Sequence, residues 1–86
     1  MKRKVLKVID GDTFVVRRRI GDTRVVRLAG VNAPEKYQYG GQSATNKLRG
    51  LIEGKTVTIQ PVGRSYGRVV AGVRVNRGSV NRRMHY

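Results

Sequence analysis

Two turn signals cut the first thirty residues into three short runs of strand-forming sequence, and this spacing constrains the fold more than any other feature. Asp10-Gly11-Asp12 follows the run 3–9 (Arg-Lys-Val-Leu-Lys-Val-Ile), and Gly21-Asp22 separates run 13–19 from run 23–29. Pairs of Gly with an acidic residue favour tight hairpin connections, because Gly tolerates the left-handed backbone that such turns require. The three runs therefore predict a meander of hairpins. Period-two alternation places Arg27 on one face with Val25 and Ala29. A guanidinium among apolar neighbours is costly unless it is paired or near solvent.

Residues 31–42 lack periodicity and contain Pro34, Gly40 and Gly41, so they read as a loop long enough to suggest a functional role. Ser43 suits an N-cap, and Ala44, Leu48, Leu51 and Ile52 follow helical spacing. Gly50 weakens this helix and Gly54 stops it. Runs 55–62 and 68–75 predict two more strands, separated by the loop Gly63-Arg64-Ser65-Tyr66-Gly67. Residues 80–84 begin a partial second helix. Five strands with a helix between the third and fourth follow the order of an OB-type barrel, a fold that often binds oligonucleotides. The expected class is thus mainly β, with residues 1–86 forming a single OB-fold-like domain. At this length the core is small.

Charge narrows the partners. Nineteen Lys and Arg face five Asp and Glu, for a formal charge of +14. This favours a polyanion, with nucleic acid ahead of an anionic membrane. No apolar run of about 20 residues is present to span a bilayer, no basic amphipathic helix suits a membrane surface, and no signal peptide is read at Met1-Lys2-Arg3-Lys4. The chain has no cysteine, which excludes thiolate metal sites, and His85 is its one histidine, which excludes a histidine pair. The simplest reading of His85 is an exposed tail residue. Three of the five acids, Asp10, Asp12 and Glu35, lie in the segments 10–13 and 27–35. Acids concentrated there in so basic a chain suggest a cation site facing a polyanion. An EF-hand starting at Asp10 fails, because Val15 stands where glycine is required and Gly21 where the closing Glu belongs. No phosphate-binding Walker loop is present.

The segments Asp10-Gly11-Asp12-Thr13, Val26-Arg27-Leu28-Ala29-Gly30-Val31-Asn32-Ala33-Pro34-Glu35 and Tyr66-Gly67-Arg68, in this order and spacing, resemble the staphylococcal nuclease (thermonuclease) family. The likeness extends over nearly the whole chain. It implies a five-stranded OB-type barrel that hydrolyses DNA and RNA with calcium (Ca2+) at low sequence specificity, leaving 3′-phosphate ends. By this resemblance Asp12 is a calcium-binding carboxylate, Asn32 stands at a second ligand position, and Ala33 offers its backbone carbonyl. Asp10 supports the ligands from the surrounding shell. Glu35 matches the general base, Arg27 and Arg68 match the arginines that grip the scissile phosphate, and Tyr66 matches a tyrosine beside a substrate phosphate.

The chemistry is coherent in its own terms. A hard cation with oxygen ligands offsets the phosphate's charge, a carboxylate accepts water's proton, and guanidiniums stabilise the growing negative charge. The chain departs from the family pattern at three points. Asn32 replaces a carboxylate and weakens calcium binding. Arg64 stands where an acid is common, which changes how its loop is held. The resemblance also implies further helices beyond residue 86, so the chain reads as a C-terminally shortened member or a fragment, open to oligomerisation or domain swapping. The alternative is a weak or inactive nuclease-like barrel that acts as a nucleic-acid-binding module. Tyr37, Tyr39 and Tyr66 suit stacking on bases, although a Tyr in so small a protein more often covers the core edge, and Lys2, Arg3, Lys4, Arg17, Arg18 and Arg19 read as a general backbone-attracting or solvating surface.

Overall fold

A computed structural model describes residues 1–35, 37–76 and 78–84. The turn-delimited runs form β1 (Lys2–Asp10), β2 (Thr13–Ile20) and β3 (Thr23–Leu28), an antiparallel meander. The chain continues through α1 (Gly41–Ile52), β4 (Thr56–Ser65), β5 (Arg68–Val75), the short β6 (Gly78–Ser79) and α2 (Val80–Arg83). Hydrogen-bonded neighbours run β3-β2-β1-β4-β5-β6, and a parallel β3–β5 pairing closes the first five strands into a barrel. The fold is the expected mainly β, five-stranded barrel, with one helix between strands three and four. No helix among the described residues is long and apolar enough to cross a membrane.

Inward positions of the strands supply the core. Phe14, Val16, Val26, Leu28, Val57, Ile59 and Val73 are buried, and α1 covers one side with Ala44, Leu48 and Ile52. Each large side chain fully buried in this way is worth roughly 1.5–3 kcal/mol of transfer free energy. In β1 the buried residues Val5 and Val8 are three apart. A register shift between Val5 and Lys7 resets the alternation there. At the C-terminal end the Ser79 side chain caps α2 by accepting from Arg82 N, while Val80 and Met84 are buried.

Two local expectations need correction. Ser43 does not cap α1. The cap is Gly40 in a left-handed conformation (φ 79°), with no side-chain bond, and Ser43 lies within the first turn. The helix starts earlier, at the buried Gly41. The loop 63–67 is in truth mostly strand, since β4 runs to Ser65 and only Tyr66-Gly67 form the turn, both at positive φ (52° and 75°). That two-residue turn suits the twist of a hairpin. Pro61 is tolerated because the ladder shifts register between Pro61 and Gly63. The two-residue strand β6 carries too little sequence to be foreseen. His85 lies outside the described residues.

Asn81 fastens the barrel's closing seam. Its amide nitrogen donates to Ala29 O (2.9 Å) and Ala71 O (3.1 Å), and its Oδ1 accepts from Val73 N (2.7 Å). One side chain thus satisfies backbone groups on both sides of the β3–β5 junction. At another edge, Arg64 pairs with Asp22 and ties the β4–β5 hairpin to the β2–β3 turn.

Candidate active site

Gly11 sets the placement of the first turn. A Cβ at this buried glycine would lie 2.6 Å from Ala44 Cβ and 2.7 Å from Ala33 Cβ. The β1–β2 turn therefore packs directly on α1 and on the loop that follows β3. Asp10 and Asp12, on either side of Gly11, are carried to the same end of the barrel as residues 32–35. The loop itself is fixed by short-range bonds: Glu35 N donates to Gln38 Oε1 (2.8 Å), Gln38 N to Glu35 O (2.9 Å), and Gly41 N to Gln38 O (2.8 Å).

Arg27 is the organising cation. Its Nη2 donates to Asn32 Oδ1 (2.7 Å) and Val31 O (2.9 Å), its Nη1 to Leu28 O (3.2 Å), and it faces Asp12 Oδ2 at 3.6 Å. The guanidinium is about one-fifth exposed, so these partners answer the requirement set by its apolar neighbours. Asp12 is held from its other oxygen by Thr13, whose hydroxyl donates to Oδ1 (2.8 Å). Arg68 reaches the site from the start of β5, with its Nε donating to Ser65 O (3.3 Å).

The result is one cavity of about 290 Å³ lined by Asp10, Asp12, Arg27, Asn32, Ala33, Glu35 and Arg68. Seven of the eight residues singled out from the sequence converge there. Tyr66 does not line it; it stands almost fully exposed at the β4–β5 turn, two residues before Arg68. Three carboxylates against two guanidiniums leave the cavity one net negative charge, inside a chain of +14. The two acids elsewhere are used locally, Asp22 with Arg64 and Glu53 with Arg49. Neighbouring Arg64 holds the Asp22 carboxyl below its ordinary range, by hydrogen bond and by charge.

The donors suit a hard cation in kind, since all are oxygens: Asp12 carboxylate, Asn32 amide, Ala33 carbonyl, and the neighbouring Asp10 and Glu35. They suit it less well in charge. Among the described residues no three His, Cys, Asp or Glu side chains cluster closely enough to hold a metal ion, and Asn32 Oδ1 already accepts from Arg27. Sequence reasoning gave no role to Thr13 or Gln38, and to Gly11 only that of a turn former. Thr13 and Gly11 sat inside the quoted Asp-Gly-Asp-Thr motif, whereas nothing in the sequence marked Gln38.

Residues 25–85 match the family model described as "Staphylococcal nuclease homologue". An "Uncharacterized endonuclease" of Escherichia coli is 39% identical over 71 residues, covering 81% of this chain and 46% of that protein. An "Uncharacterized endonuclease" of Haemophilus influenzae is 34% identical over 82 residues, covering 94% of this chain and 46% of that protein. The chain thus spans about half the length of these curated relatives. With the matching segment running from β3 through α2 and the barrel closed as described, the chain belongs to the staphylococcal nuclease homologue family.

Proposed function

We propose that this protein is a calcium-dependent nuclease of low sequence specificity that hydrolyses DNA or RNA and leaves 3′-phosphate ends. One observation carries the reading: acids and arginines from the β1–β2 turn, β3, the following loop and β5 line a single cavity. A binding surface needs only cations, so carboxylates gathered beside two arginines favour chemistry over simple attachment.

Arg27 and Arg68 bind the scissile phosphate through charge-assisted hydrogen bonds and stabilise the charge that grows as water adds to phosphorus. Arg27 is pre-oriented by its carbonyl partners, so little reorganisation is needed. Glu35, exposed at the cavity's edge, takes the proton of the attacking water. The phosphorus–oxygen bond to the 5′-oxygen breaks, and that oxygen leaves with a proton taken from solvent, to which Glu35 in turn returns its own. Asp12, Asn32 and the Ala33 carbonyl would hold calcium, which when bound supplies positive charge opposite the phosphate. Asp10 supports this group from alongside, and Tyr66 meets a flanking phosphate as the substrate passes the β4–β5 turn.

Degradation of a labelled single-stranded oligonucleotide tests the reading. Cleavage requires calcium and is abolished by chelator, and Glu35→Gln lowers the rate about 10²–10⁴-fold, the range for proton transfer by a positioned side chain. Equal rates under all three conditions would remove the catalytic role. Salt-sensitive binding with no product in calcium would instead identify a binding module.

A further inference from the structure

The end of the β1–β2 hairpin away from its turn carries a second concentration of charge, this one of a single sign. A cleft of about 270 Å³ is lined by Lys2, Arg3, Lys4, Arg17, Arg18 and Thr56, with five cations and no carboxylate among its lining residues. The backbone explains how so many point outward. β1 and β2 pair only as far as Val5 with Val16, and the β2–β3 register shifts between Val15 and Ile20. Residues 17–19 therefore leave the regular ladder. Inward positions on β2 are Phe14, Val16 and Ile20, so strict alternation would turn Arg18 inward, yet Arg17, Arg18 and Arg19 are all exposed. A bulge that re-aims side chains has this effect. Arg3 spans the gap, with Nη1 donating to Lys2 O (2.9 Å) and Nη2 to Arg19 O (3.3 Å). Its Nε is buried without an acceptor among the described residues.

We infer that this cleft is a second nucleic-acid site, which grips the phosphate backbone of a polynucleotide at a distance from the cavity of Glu35. The inference rests on the nuclease reading for its purpose, but its binding stands apart from cleavage. Charge selects this cleft over the larger one, about 630 Å³, between β1 and α1. There Lys7 and Arg49 face Asp10, Glu35 and Glu53, again one net negative charge. A polyanion is drawn to the all-cationic cleft. Lys4 and Asp10 are six residues apart on β1, so at about 3.3 Å per residue the two sites are about 20 Å apart. A duplex covers that span in about six base pairs at about 3.4 Å each. Very short substrates reach one site only.

The test is the salt dependence of binding, in a Glu35→Gln background so that substrate survives. The triple variant Lys4→Gln, Arg17→Gln, Arg18→Gln is compared with an equal-charge control on exposed cations elsewhere, Arg24→Gln, Lys47→Gln, Arg82→Gln. The probe is a labelled single strand of roughly 20 nucleotides, long enough to span both sites. Each lost phosphate contact lowers the slope of log affinity against log salt by about 0.7–0.9, so the cleft variant loses about 2–3. Its affinity falls about 10–100-fold at low salt, while the control loses much less. Equal losses in the two variants mean diffuse attraction and overturn the inference. So does a cleft variant that keeps the oligonucleotide but releases vesicles of phosphatidylcholine and phosphatidylserine. Circular dichroism confirms that both variants fold. Failure of the nuclease reading shows as no cleavage by the unaltered protein, whereas failure of this one shows as an unchanged slope.

Discussion

Gly11→Ala adds one methyl group at the point where turn, loop and helix meet. The new Cβ would stand 2.6 and 2.7 Å from the Cβ atoms of Ala44 and Ala33, and 3.2 Å from the backbone carbon of Ala44. Ordinary carbon contacts lie at about 3.5–4.0 Å, so the elements must separate by about 1 Å. Neither neighbour is the mobile end of a long side chain. Overpacking of this kind costs about 1–3 kcal/mol. Gly11 is not at positive φ, so alanine also gains about 0.4–1 kcal/mol by restricting the unfolded chain. With two contacts this close the overpacking cost lies toward the top of that range, so the net expectation after the gain is a loss of about 2 kcal/mol. For a domain of this size, that lowers Tm by about 8–16 °C. Cleavage falls about 100-fold, because Asp12 and Ala33 flank the clash and a 1 Å misplacement costs that much. Calorimetry and oligonucleotide cleavage measure both effects. A double variant with Ala44→Gly gives the sharper check. Ala44→Gly alone costs about 1 kcal/mol of helix propensity, yet it removes the closest contact, so the pair should cost at least about 0.5 kcal/mol less than the sum of the singles. Strict additivity, or an unchanged Tm for Gly11→Ala, would refute the steric reasoning.

Asn81→Ala removes the partner of Val73 N–H and a donor to the Ala29 carbonyl, while the Ala71 carbonyl keeps its bond from Ala29 N, and should destabilise the fold by about 1–3 kcal/mol in denaturant titrations. Asn32→Asp adds a carboxylate beside Asp12 and should tighten calcium binding in isothermal calorimetry; unchanged affinity would remove Asn32 from the ligand set. The Asp22 carboxyl is held below its ordinary range by Arg64. Its stabilising effect is therefore present above the unfolded-state value and lost as pH falls through the lowered one. Both groups are well exposed, so the effect is small. The stability difference between the unaltered protein and Asp22→Asn, followed by thermal melts, should vanish in strong acid and persist at neutral pH.

The meander was legible because Asp10-Gly11-Asp12 and Gly21-Asp22 interrupt strand sequence at hairpin spacing, a strictly local signal. The start of α1 was not. A glycine cap has no side chain to announce it, and Ser43 mimics a cap at the wrong place. The extension of β4 to Ser65 was hidden because Gly63 read as the start of a loop, whereas the pairing with β5 carries the strand past it at a register shift. At the site, the residue types were readable from the motifs, but their meeting is a long-range fact. Nothing local to Asp10 or Arg68 says that they face the same 290 Å³ cavity. The bond from Arg27 to Asn32 was equally out of reach, since it depends on how the chain folds back after Leu28.

The parallel seam between β3 and β5 joins Val26 to Val69, Arg27 to Val70 and Leu28 to Ala71, a line of three residue pairs. Arg27 lies on one lip of this seam, and Arg68 sits one residue before the first paired position on the other. On the proposed nuclease reading, any breathing motion that parts the lips pulls the two guanidiniums away from a common phosphate while the hairpins on either side stay intact. Warming should therefore silence the protein before it melts, with the closure of the cylinder serving as the switch for its chemistry.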